Sequence, residues 1–117
     1  MSVPAADVFS LTTSAHGRCR VLALRGELDE LAAPALDEAL AEERDEPLIV
    51  DLSGLDFICS AGIHALLRNR RLRSAIVCPP GNVARVLGIV RAEKATLLFD
   101  NVDAAHDALC ASLAGAA

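Results

Sequence analysis

The sequence contains no Trp, no Tyr and only three Phe. So few aromatic faces leave little on which bases could stack, which counts against a binder of single-stranded nucleic acid. Positive charge is also short: 11 Lys and Arg against 16 Asp and Glu leave a net charge of −5, the wrong sign for direct nucleic-acid contact. No uninterrupted apolar run approaches the roughly 20 residues that cross a bilayer, so no membrane is expected as a partner. The N-terminus lacks the basic start and apolar centre of a signal peptide, which points to a cytoplasmic protein. The four cysteines, Cys19, Cys59, Cys78 and Cys110, form no CxxC pair. In the cytoplasm such scattered thiols stay reduced and act mostly as small buried hydrophobes. Phosphate-binding and hydrolase signatures are missing too: there is no G-x-x-x-x-G-K-[ST] loop, no G-x-G-x-x-G after a strand and no G-x-S-x-G elbow. His16, His64 and His106 lack metal-site spacing. No catalytic residue, cofactor or metal is therefore expected. Cys/His and Ser/His pairs assemble in space, however, so a small enzyme with Cys59 or Ser60 as nucleophile stays open as an alternative.

What is present is a chain of 117 residues, 53% hydrophobic and 23% charged. That is one domain over residues 1–117, with a core of Ala, Leu, Val and Ile over about 9–113. Twelve of the sixteen acids lie in residues 1–56, whereas Arg68, Arg70, Arg71, Arg73, Arg85, Arg91 and Lys94 crowd a stretch holding one acid, Glu93. The RNRRLR run suits the solvated C-terminal turn of a helix, and the asymmetry can also orient a partner.

Residues 8–14 alternate and predict a first strand, with a turn at His16-Gly17; CRVLALR (19–25) predicts a second strand that stops at Gly26. Asp29 offers an N-cap for a helix through about Glu43, with Leu31, Ala35, Leu36, Ala39 and Leu40 on one face and Pro34 in its first turns. LIVDL (48–52) predicts a buried strand, and Ser53-Gly54 a turn. A helix follows Ser60, with Ile63, Leu66 and Leu67 inward and His64 exposed or half-buried. SAIVC (74–78) predicts a strand, Pro79-Pro80-Gly81 a turn, and Asn82 the cap of a short helix carrying Val83, Val86 and Leu87. TLLF (96–99) predicts the last strand, and Asn101 or Asp103 starts a final helix with Val102, Ala105, Leu109 and Leu113 inward. A hairpin followed by alternating strands and helices implies an α/β fold: a mixed, mainly parallel β-sheet of 4–5 strands with about four packed α-helices.

The most informative stretch is DLSGLDFICSAGIHALL (51–67), where a Ser stands immediately before a helix. A serine there has an ordinary structural role, in which its hydroxyl caps the helix by accepting an N2 or N3 amide, worth about 1 kcal/mol. The same position suits a phosphoryl group, because free amides and the helix dipole stabilise an anion. A phosphate there adds about −1.5 to −2 charges and would disturb an apolar contact patch.

GELD at 26–29, IVDLSGLDFICSAGIHALL at 49–67 and VCPPGNVARVL at 77–87, in that order and spacing, resemble the STAS domain. The likeness covers about Phe9 to Leu109 and is greatest to the stand-alone bacterial anti-sigma factor antagonists. The resemblance implies a protein that binds an anti-sigma factor serine kinase, frees a sigma factor and thereby regulates transcription. It implies phosphorylation by that kinase at Ser60, which releases the partner, and dephosphorylation by a PP2C-type phosphatase. It places partner contacts at Gly26, Glu27, Asp29, Cys59, Ser60, Ala61, Gly62 and His64, with the Pro79–Asn82 loop nearby. The sequence departs from the family where an acid normally precedes the serine: Cys59 stands there. That change favours an alternative reading, a non-phosphorylated STAS sensor or scaffold that binds a nucleotide or another STAS protein. A thiol at a helix start is also open to oxidation. The segment between the second helix and SAIVC is shorter than usual and lacks the family's Gly turn.

Overall fold

The computed structural model describes residues 9–42, 47–68, 74–89 and 98–116, the side chains of 112–116 excepted. It opens with a hairpin. Strands β1 (Phe9–His16) and β2 (Cys19–Leu28) pair antiparallel from Phe9↔Gly26 to His16↔Cys19. The two residues between them form a tight turn, and Gly17 takes the positive φ of 60° that such a loop requires.

Helix α1 (Ala33–Glu42) leads to β3 (Leu48–Ile58), α2 (Ser60–Arg68) to β4 (Ser74–Val77), and α3 (Asn82–Ile89) to β5 (Leu98–Phe99); α4 (Val102–Ala116) closes the order. β2, β3, β4 and β5 run parallel, and the five strands lie side by side in chain order. Right-handed crossovers between successive parallel neighbours put every connecting helix on the same side of the sheet. Accordingly Leu36 and Leu40 of α1, Ile63 and Leu66 of α2, and Val83 and Leu87 of α3 pack on Leu22, Leu24, Leu48, Val50, Leu52 and Ile76. α4 connects to no later strand in the described residues and covers the other face. There Ala105 and Leu109 close over Cys19, Val21, Ile49, Ala75 and Val77. The two-residue period of a strand explains the division, since Ile49 points to one face and Leu48 and Val50 to the other. The expected mixed sheet, mainly parallel and carrying four helices among the described residues, is therefore the fold observed.

Several local expectations give way. β2 does not stop at Gly26 but runs to Leu28, because two register shifts, after Ala23 and after Gly26, keep it paired with β3. Ser53-Gly54 is no turn: β3 passes through it, and Arg25 pairs with Gly54. Asp29 does accept from the Leu31 and Ala32 amides as a cap would, but the regular helix begins only at Ala33, and Leu31 lies in the intervening turn with 78% of its surface exposed instead of facing inward. α3 starts at Asn82, with the Gly81 carbonyl accepting from Arg85 N, so Gly81 and not Asn82 holds the cap position. Asn101 does cap α4, accepting from Ala104 N at 2.8 Å. Arg70, Arg71, Arg73, Arg91, Lys94 and the short segment before β4 lie outside the described residues, as does the side chain of Leu113. No helix among the described residues is long and apolar enough to cross a membrane.

Candidate functional site

The sequence-predicted residues gather where β2 and β3 end side by side. Glu27 stands opposite Phe57, and Leu28 opposite Ile58. Gly26 holds a φ of 92° at the second register shift, a conformation that disfavours any side chain. The shift turns Glu27 to solvent while Leu28 remains fully buried.

Cys59 then joins the two strand ends to α2. Its N–H donates to the Leu28 carbonyl at 3.0 Å, and its own carbonyl accepts the first helical bond, from Ile63 N, at 3.0 Å. The cap position is thus Cys59, and Ser60 is the first helical residue. The expected capping bond from an N2 or N3 amide to the Ser60 hydroxyl is not formed, because capping belongs to the residue before the first helical one. Ser60 is exposed, and its hydroxyl has no hydrogen-bond partner among the described residues.

Gly62 lets the helix approach the strand. A Cβ there would lie 2.6 Å from Leu28 Cγ and 3.0 Å from the Leu28 carbonyl oxygen. Ala61 is half-buried beside it, and His64 points to solvent. Asp29 Oδ1 accepts from Leu31 N at 3.1 Å and from Ala32 N at 3.0 Å, so its carboxylate fixes the turn that lifts Leu31 outward.

Leu31 and Phe57, the latter 48% exposed, are the exposed large hydrophobics of the described residues. Glu27, Glu30 and Asp56 are exposed in the same strand ends and turn. Two exposed large hydrophobics, three exposed carboxylates and an open hydroxyl thus stand in the strand ends and in the turn and helix that follow them. Sequence reading missed both exposed hydrophobics. The signal for Phe57 lay in strand alternation, since Ile58 beside it takes the buried side.

Cys59 is half-buried, and neither it nor Ser60 has a described basic group within hydrogen-bond reach, which weakens the nucleophile alternative. The described residues contain no cluster of three or more metal-ligating side chains. The Pro79–Asn82 loop faces the end of β3 across a cleft of about 200 Å³, lined by Leu52, Ser53 and Asp56 on one side and Pro79, Gly81 and Asn82 on the other. Behind it the Cys78 thiol is pushed up by burial first and by the nearby Asp100 charge second.

Residues 10–105 match the family model of the STAS domain. The chain is 31% identical over 117 residues to the anti-sigma-F factor antagonist RsfB of Mycobacterium tuberculosis, covering 93% of this chain and 92% of that one. It superposes on the crystal structure of an anti-sigma factor antagonist from Mycobacterium paratuberculosis with a TM-score of 0.81 at 25% identity, over 93% and 98% of the two chains. The Bacillus cell fate determinant SpoIIAA in its phosphorylated form shares the fold, with a TM-score of 0.61 at 17% identity over 86% and 99%.

Proposed function

Because this chain belongs to the STAS domain family, we propose that it is an anti-sigma factor antagonist: a binding protein, not an enzyme, that captures an anti-sigma factor and frees a sigma factor. The observation that carries this reading is the exposed Ser60 at the start of α2, directly after the paired ends of β2 and β3. The relationship to RsfB supports the partner class.

On this reading Gly26, Glu27, Asp29, Cys59, Ser60, Ala61, Gly62 and His64 form or shape the contact. The partner is a serine kinase that phosphorylates Ser60, and a PP2C-type phosphatase reverses it. The open hydroxyl supports this regulation physically. A phosphoryl group would meet the free amides of the first turn of α2, so the fold tolerates it. It would also add about −1.5 to −2 charges at an exposed position of the contact surface, and so oppose docking. The event is an electrostatic block without refolding.

The cleft beside the Pro79–Asn82 loop does not favour the nucleotide-binding alternative. The cleft of about 200 Å³ is smaller than the roughly 300–1,000 Å³ of ordinary small-molecule sites.

The deciding experiment is incubation with the cognate anti-sigma kinase and ATP, read by intact mass, with binding followed by calorimetry. One phosphate on Ser60 is expected. Ser60→Asp should fold normally and lose binding at least about tenfold, and Ser60→Ala should bind yet resist release by ATP. Wild-type binding by both variants would remove the switch assignment.

A further inference from the structure

A second group of reactive side chains lies at the other end of the sheet. β2 runs ten residues from Cys19 to Leu28, so its start stands about 30 Å from the Ser60 end. There α4 packs beside the β1–β2 turn. Cys110 Sγ is 3.4 Å from His106 Nε2, and His106 Nδ1 is 3.3 Å from Asp107 Oδ1. His106 and Cys110 share a helix face through their i, i+4 spacing.

The hairpin seats this imidazole. A Cβ on Gly17 would lie 2.3 Å from His106 Nε2, so the turn glycine leaves the space the ring fills. His16 meets the ring edge-on, with centroids 5.2 Å apart at 79°, and His16 Nε2 is held 3.0 Å from Asp103 Oδ1. The arrangement is a thiol, a base within reach of it, and a carboxylate that orients the base.

We propose that Cys110 is a modification site, a thiol oxidised by hydroperoxides, with His106 as its base and Asp107 as a positioning residue. Each of the other three thiols lacks either the exposure or the basic partner of Cys110. Cys19 and Cys78 are buried at 1% and 7% exposure. Burial raises the pKa of both, and the Cys110 charge adds to the rise at Cys19. Cys59 is half-buried without a basic partner among the described residues. Cys110 is half-buried and has one.

In the reaction the Cys110 proton passes to His106 Nε2, and the thiolate attacks the distal oxygen of the hydroperoxide. The S–O bond forms as the O–O bond breaks. Sulfur is oxidised by two electrons, and the peroxide is reduced to an alkoxide or hydroxide that takes the proton back from His106. The products are a sulfenic acid and an alcohol or water.

The experiment treats full-length protein with hydrogen peroxide and the sulfenic-acid trap dimedone, then maps the adduct by mass spectrometry. Trapping at Cys110 is expected in wild type and in Cys59→Ser. The rate should fall at least about tenfold in His106→Gln, and severalfold in Asp107→Asn, whose exposed position leaves folding intact. The wild-type rate should follow a pH profile that His106→Gln removes. Adducts formed mainly on Cys59, or an unchanged rate and profile in both variants, would overturn the proposal. Because the group is remote from Ser60, either result leaves the binding reading untouched.

Discussion

At Gly62 a single hydrogen stands where any other residue would press on Leu28. Ala is the better helix former by up to about 1 kcal/mol, yet its Cβ would sit 2.6 Å from Leu28 Cγ and 3.0 Å from a backbone oxygen that cannot swing aside. Steric cost outweighs propensity here. Gly62→Ala should destabilise the protein by about 1–3 kcal/mol, read as a lower urea midpoint at unchanged slope. An unchanged or raised midpoint would show that α2 does not rest on the end of β2. At this scale the sequence was half legible. The strand-to-helix junction before α2 was readable, but which of Cys59 and Ser60 holds the cap depends on a boundary shift of one residue. Leu31 was misplaced because spacing puts it on the face of Leu36 and Leu40, whereas Asp29 holds the chain in a turn until Ala33.

Among the elements, α4 alone covers its face of the sheet in the described residues, so its first turn matters more than that of a helix with neighbours. Asn101 supplies the cap through the 2.8 Å bond to Ala104 N, and its carbonyl accepts from Ala105 N. Asn101→Ala should cost about 1 kcal/mol, and Asn101→Asp should retain most of it. Thermal melts of the two variants decide this; equal losses would mean the side-chain bond contributes nothing. The order of elements was legible because apolar runs and turn residues alternate cleanly from Cys19 onward. The length of β3 was not. Ser53-Gly54 is turn chemistry taken locally, but pairing with Arg25 and Gly26 carries the strand through. Gly54 serves the close approach instead, since a Cβ there would meet the Leu24 oxygen at 2.9 Å.

For the whole molecule, the two buried thiols set a limit at alkaline pH. Cys19 and Cys78 are held above the ordinary thiol value of 9.0, by burial first. Above that pH the unfolded chain loses these protons while the folded chain keeps them, so the unfolded state binds fewer protons and stability falls as pH rises. Below it the contribution is fully present. The urea midpoint should therefore fall as pH is raised from about 8 to about 10, and that fall should be smaller in Cys19→Ala and Cys78→Ala; an identical fall in both would exclude these thiols as its source. That Cys19 and Cys78 are small core residues was readable from their setting. That the sheet has two separately packed faces was not, because strand periodicity tells which residues alternate but not which helix covers them. The strand order has one more consequence. Each strand docks on the one made just before it, so a chain emerging from the ribosome can extend its sheet at the growing edge, without holding a gap for a strand not yet synthesised. Such a layout keeps loop closures short, and the side left for α4 is the last to be shielded from solvent.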